Sequence, residues 1–152
     1  MSARNADIVT LLDIQDRIKT LLEADAYFAG ASIITEHVGT LETEIAKAVA
    51  RTGFYVAIRN SGGELRSPEL NLNIFRERFE VTIAQNPLTD ASRATRNVQD
   101  GMVVAAKALI GQEVSVGDKR RMHVLRHAGA YTDKGLALQV FELMVDTELT
   151  VS

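Results

Sequence analysis

Cysteine is absent from the 152 residues. That excludes a disulfide scaffold, thiol catalysis and cysteine-ligated zinc, and it fits a reducing compartment. An excess of basic residues is also lacking. The formal net charge is −3, whereas a general nucleic-acid binder is normally basic. Aromatic residues make up only 5% of the chain, so bases have few rings to stack on. Two prolines and no Pro/Ser/Gly-rich tract leave no linker to divide the chain. The start, MSARNADIVTLL, has no apolar core of about 7–15 residues, so no secretory signal is expected there. No run reaches the roughly 20 apolar residues of a membrane span, and no membrane association is expected.

Hydrophobic residues at 46% and charged residues at 24% are ordinary for a globular protein. A single α+β domain over residues 1–152 is therefore expected, burying on the order of 70% of its unfolded surface. Ile8, Leu11, Leu12, Ile18, Leu21 and Leu22 recur at steps of three and four, which predicts an amphipathic helix over residues 6–24. The β-branched stretch SIITEHV predicts a short strand. Gly39-Thr40 then opens a second helix with Leu41, Ile45, Ala48 and Val49 on one face, and Gly53 stands at its C-terminal glycine position. FYVAIR at residues 54–59 is almost wholly apolar and reads as an interior strand. Residues 60–73 carry turn formers and read as a long loop.

From residue 74 to 84 the pattern alternates, with Phe79, Val81 and Ile83 against Glu80 and Thr82. Pro87 cannot donate a ladder hydrogen bond and restricts Asn86 to extended backbone, so the strand stops there. Thr89, Asp90 or Ser92 is expected to cap a third helix with Val98, Met102, Ala105, Ala106 and Leu109 on its apolar face. A second loop covers residues 111–120. Two strands, 121–132 and 136–149, meet at a turn of Asp133, Lys134 and Gly135. The order α-β-α-β-β-α-β-β predicts a mostly antiparallel sheet with helices packed on one face. The last strand has apolar residues on both parities, with Leu136, Leu138 and Val140 against Phe141, Leu143 and Val145. Helices together with a bend, or a neighbouring subunit, would each account for that.

Few residues invite chemistry. His123 and His127 are four apart, but on a strand that spacing is roughly 13 Å. Arg126 adjoins them, and no carboxylate stands where a zinc protease needs its base, so no metal and no cofactor is expected. NSGGEL lacks GxxxxGK[ST] and the GxSxG order, so it is neither a phosphate loop nor a nucleophile elbow. Glu77 is a carboxylate on the apolar side of its strand and is expected to be wet, beyond the sheet edge. No second carboxylate or histidine is spaced to join it in acid–base work. Positive charge concentrates in residues 117–127, GDKRRMHVLRH. Solvated surface, subunit contact and nucleic-acid contact are its three readings.

The ingredients together resemble one family. They are the N-terminal amphipathic helix, the short apolar strand leading to a long loop, VTIAQNP before a capped helix, a charged loop, and a final hairpin with LALQVFELMVDTEL. In order and pattern, over residues 8–149, the chain resembles the tail terminator, or tail-completion, proteins of long-tailed bacteriophages. The resemblance implies a non-enzymatic virion protein of the tail–neck region, assembled in the host cytoplasm. It implies a homo-oligomeric ring, typically a hexamer, that caps the tail tube, ends its polymerisation and meets the head–tail connector. Genomic DNA would pass through the opening without being read. The alternatives are a head–tail connector protein or a small α+β enzyme. The loop and charge pattern, not the family, nominates Arg76, Arg78, Lys119, Arg120 and Arg121 as contacts to sister subunits or to the tube.

Overall fold

The computed structural model of the chain describes residues 11–36, 41–65, 74–90, 92, 95–114 and 121–148. Helix α1 spans Leu11–Glu23 and is followed by a 3-10 turn at Ala26–Phe28. The remaining elements are β1 (Ser32–Ile34), α2 (Leu41–Arg51), β2 (Phe54–Leu65), β3 (Ile74–Gln85), α3 (Val98–Leu109), β4 (His123–His127), β5 (Tyr131–Asp133) and β6 (Leu136–Glu148). They form an α+β fold around one six-stranded sheet of order β1-β2-β3-β6-β4, with β5 also pairing β6. Every pairing is antiparallel except β1 with β2. Those two are parallel because the chain crosses over through α2 between them.

Apolar patterning sets the layers. Phe54, Val56 and Ile58 of β2, Phe79, Val81 and Ile83 of β3, and Phe141, Leu143 and Val145 of β6 share one sheet face. Ile14, Ile18 and Leu22 of α1 and Val98, Ala105 and Leu109 of α3 close over that face. Gly101 lets α3 approach closely, since a Cβ there would lie 3.3 Å from Tyr27 Cε1 and 3.4 Å from Ile83 Cγ2. Tyr55, Ala57, Ala84 and Leu138 lie on the opposite face, in a smaller cluster with Ala48 and Ile45 of α2. Two helices thus share a face and the third covers one end of the other, so the expected packing on one face holds only for α1 and α3. This explains why FYVAI is continuously apolar, since β2 is buried on both sides, while β3 alternates because α2 does not reach Thr82 and Glu80. It also answers the two-sided pattern of β6. Leu138 is buried with the α2 cluster, but Val140 stays half-buried on the uncovered part.

Three boundaries differ from the sequence reading. Residues 60–65 are strand, paired with Phe75 to Phe79 across a bulge at Ser61. Asn60 organises that bulge: its Oδ1 accepts from Gly62 N–H at 3.1 Å, and its Nδ2 donates to Glu77 Oε2 at 3.0 Å. Hydrogen bonds of the Asn60 side chain thus hold the bulge, and the ladder resumes at Gly62 where turn-forming residues suggested a loop. Helix α3 starts eight residues after Asp90 and is capped by Asn97, whose side chain accepts from Asp100 N–H. The expected strand 121–132 is split into β4 and β5, while the expected strand from residue 136 runs unbroken as β6. Residues 66–73 and 115–120, the rest of the two expected loops, lie outside the described residues, as do 6–10 of the first expected helix.

Candidate functional site

The corner after β3 is held by a dense set of hydrogen bonds. Asn86 N–H donates to Gly53 O at 2.6 Å, Asn86 O accepts from Thr89 and Asp90 N–H, and Asn86 Oδ1 accepts from Leu88 N–H at 3.0 Å. The last is an Asx turn, the bend that a short side chain before proline favours. Gly53 has φ +67°, and a Cβ there would stand 2.5 Å from Asp90 N, so only glycine fits so close to the turn. Beneath it, Asp90 is 0% and Arg96 7% exposed. Arg96 Nη2 donates to Asp90 Oδ1 at 2.8 Å and Nε to Oδ2 at 3.0 Å, a two-pronged ion pair. Gln85 Nε2 and Ser92 N–H also donate to the same carboxylate. The guanidinium lies 4.2 Å above the Phe54 ring and donates to Ala29 O. Burial alone raises the Asp90 carboxyl, but the bonds from Arg96, Gln85 and Ser92 outweigh it and hold the group below its ordinary range. At the tip of this locked corner, Leu88 is 90% exposed.

The sheet face left open by α2 is the second feature. One row crosses four strands in register, Arg59, Glu80, Glu142 and Arg126. Two carboxylates stand opposite each other at its centre. Each is matched by an outer arginine: Arg59 Nη2 lies 2.7 Å from Glu80 Oε2, and Arg126 Nη2 3.2 Å from Glu142 Oε1. Beside this row a groove of about 330 Å³ runs along α2. Its lining includes Ala57, Thr82 and Val140 of the sheet, Glu42 and Ile45 of α2, and Tyr55 and Tyr131. Tyr131 is 49% exposed.

The residues nominated from the sequence are scattered. Arg76 and Arg78 lie on the three-stranded arm that β2, β3 and β6 extend, and Arg78 Nη2 is 3.6 Å from Glu64 Oε1. Arg121 is tied to its own chain: it donates to Gly111 O at 3.0 Å and lies 3.5 Å from Glu113. Lys119 and Arg120 lie outside the described residues, and so does His37. Glu77 is not beyond the sheet edge. It is on inner strand β3, opposite Gly63 and Val145, and receives Asn60 Nδ2. His123 and His127 are exposed on edge strand β4, and among the described residues no group of three or more histidines and carboxylates converges as metal ligands do. The Asp90–Arg96 pair escaped the sequence reading because no periodicity links a turn carboxylate to an arginine six residues on. The one available signal was an aspartate beside an Asn-Pro corner.

No helix among the described residues is long and apolar enough to cross a membrane. In comparison with known proteins, no family model matches the chain, and no curated protein matches its sequence.

Proposed function

We propose that this chain is a structural subunit of a long phage tail, a tail terminator that assembles into a ring and caps the end of the tail tube. One observation supports it above the others. A buried, fully hydrogen-bonded ion pair and a glycine-only contact hold a leucine out in solvent at 90% exposure. Rigid bracing of an apolar tip is of little use to an isolated monomer and suits a surface that another protein covers. The resemblance in order and pattern supplies the kind of assembly. The sister copies form the ring, six of them by that resemblance, and the tube protein and the head–tail connector are its other neighbours. In this reading the chain does no chemistry. An acidic chain, at −3, also suits an opening through which DNA slides without being held.

The test is assembly. Sedimentation and negative-stain imaging of the purified chain should show a discrete closed ring. Added to polymerising tail-tube protein, the chain should shorten the tubes and sit at their ends. A chain that leaves tube length unchanged and binds no tube end would refute the reading.

A further inference from the structure

We infer that the cleft at the start of α3 binds a neutral carboxamide group. The cleft holds about 260 Å³ and lies where α3 meets the end of β3 and the β5–β6 turn. Gln85, Val98, Gln99, Thr132 and Ala137 are among the residues lining it, and among the described residues no charged one does. The Gln85 side chain is the central feature, at only 5% exposure. Gln85 Nε2 donates to Asp90 Oδ2 and to Arg96 O, each at 2.9 Å. Those two acceptors fix which end of the amide is the nitrogen. The oxygen, Oε1, accepts no hydrogen bond from the described residues. Every sealed side-chain nitrogen or oxygen among them does have a partner. Gln85 Oε1 is therefore not sealed, and it opens on the cleft that Gln85 lines. It is a nearly buried acceptor, held still by its own nitrogen and left without a donor.

The helix supplies the complementary donors. Val98 and Gln99 are the first two residues of α3, so their N–H groups have no acceptor within the helix. The cap does not use them: Asn97 Oδ1 accepts from Asp100 N–H, and Asn97 O accepts from Gly101 N–H. Arg96 O, which Gln85 Nε2 holds, belongs to the residue just before the cap. Acceptor and donors are thus neighbours on one cleft. Together they select the ligand. A cation would face the positive end of α3, and an anion would face the Gln85 oxygen. Neither finds an opposite charge in the lining. Asp100, the carboxylate of the first turn, is already bonded to Asn97 Nδ2. A carboxamide meets both needs. Its N–H donates to Gln85 Oε1, and its oxygen accepts from the start of α3. A hydroxyl has a single oxygen with which to reach both. Asparagine and glutamine side chains and small free amides all carry the fitting group. The inference does not depend on the ring reading.

Amide TROSY spectra of the isotope-labelled full chain, titrated with propionamide, test this. The Gln85 side-chain NH₂ signals and the Val98 and Gln99 N–H signals should shift along one saturating curve. The dissociation constant should be on the order of millimolar for so small a probe. Propionate and propanol at the same concentrations should leave those signals in place. Gln85 itself is kept, because its nitrogen holds Asp90. Val98→Pro removes one donor at the helix position where proline fits best. Asn97 before it is already extended, at φ −150° and ψ 170°, as a residue preceding proline must be. This variant should bind propionamide about threefold to tenfold more weakly, the loss of one hydrogen bond. Ala130→Phe fills the cleft from an exposed position. It should abolish the shifts and leave the melting temperature unchanged. Sedimentation of Ala130→Phe then identifies the source of the amide. Weaker self-association than wild type places it on a sister copy, and equal self-association places it on another molecule. Equal shifts with propanol or propionate, shifts that do not saturate, or undiminished propionamide binding by either variant would each overturn the inference.

Discussion

Asp90 and Arg96 show how a buried ion pair depends on its surroundings. Desolvating two charges opposes folding, and only complete hydrogen bonding offsets it. Here the carboxylate receives Arg96, Gln85 and Ser92. Asp90→Asn should therefore destabilise by about 3–5 kcal/mol, because Arg96 is left charged and unpaired. Replacing both residues with apolar ones of similar volume should cost less, and urea unfolding of the three chains measures the difference. The pH dependence follows from the same group. Its folded carboxyl titrates below the ordinary value of 3.8, so its contribution is fully present above that value and is lost as pH falls toward the folded one. Between neutral pH and about pH 3 the wild type should lose more stability than Asp90→Asn does. Gly53→Ala should cost about 2 kcal/mol or more, since positive φ and a backbone clash add. Thermal unfolding beside Gly30→Ala, where a Cβ meets nothing within 4 Å, separates the clash from the φ penalty.

Among the elements, the β2–β3 hairpin departs furthest from its sequence. NSGGEL reads as loop because asparagine, serine and glycine are turn formers. Asn60 instead uses its side chain to hold a bulge, and the strand resumes through Gly62 and Gly63 against Arg78 and Glu77. The two glycines should behave differently. Gly62 has φ +108°, which a side chain rarely adopts, so Gly62→Ala should loosen the arm by about 1 kcal/mol or more. At Gly63 a new Cβ meets only the Glu77 carboxylate, the far end of a flexible chain, and Gly63→Ala should be nearly neutral. Hydrogen exchange at the amides of residues 76–78 should speed up in the first variant and not in the second. The two-residue turn at Lys134-Gly135, with φ 50° and 82°, was legible because glycine and the alternating flanks announce it.

At the scale of the molecule, two kinds of contact compete to explain assembly. Burial of an apolar tip such as Leu88 is insensitive to salt. Contacts through Arg76, Arg78 or the basic stretch 117–121 would weaken as the screening length falls from about 10 Å at 0.1 M to about 3 Å at 1 M salt. The ring should therefore persist at about 1 M salt in sedimentation. Its melting temperature should rise with protein concentration, because association stabilises the folded state by mass action. A ring that dissolves in salt would move the interface to the arginines.

The sequence alone determined most of the elements and the buried side of the sheet, but not the far end of β2, the start of α3 or the break between β4 and β5. Helical periodicity in Leu11, Ile18 and Leu22 and strand alternation in Phe79, Val81 and Ile83 are local signals, imposed by backbone geometry and readable one segment at a time. Pro87 likewise ends β3 by its own chemistry. Only the tertiary structure decided that α2 crosses to the second face, that Asp90 finds Arg96 beneath the Asn86 turn, and that Leu88 is left outside while Val140 opens on a groove. Those outcomes depend on which distant segments meet, and hydrogen bonds and close contacts between distant segments leave no period in the chain that makes them.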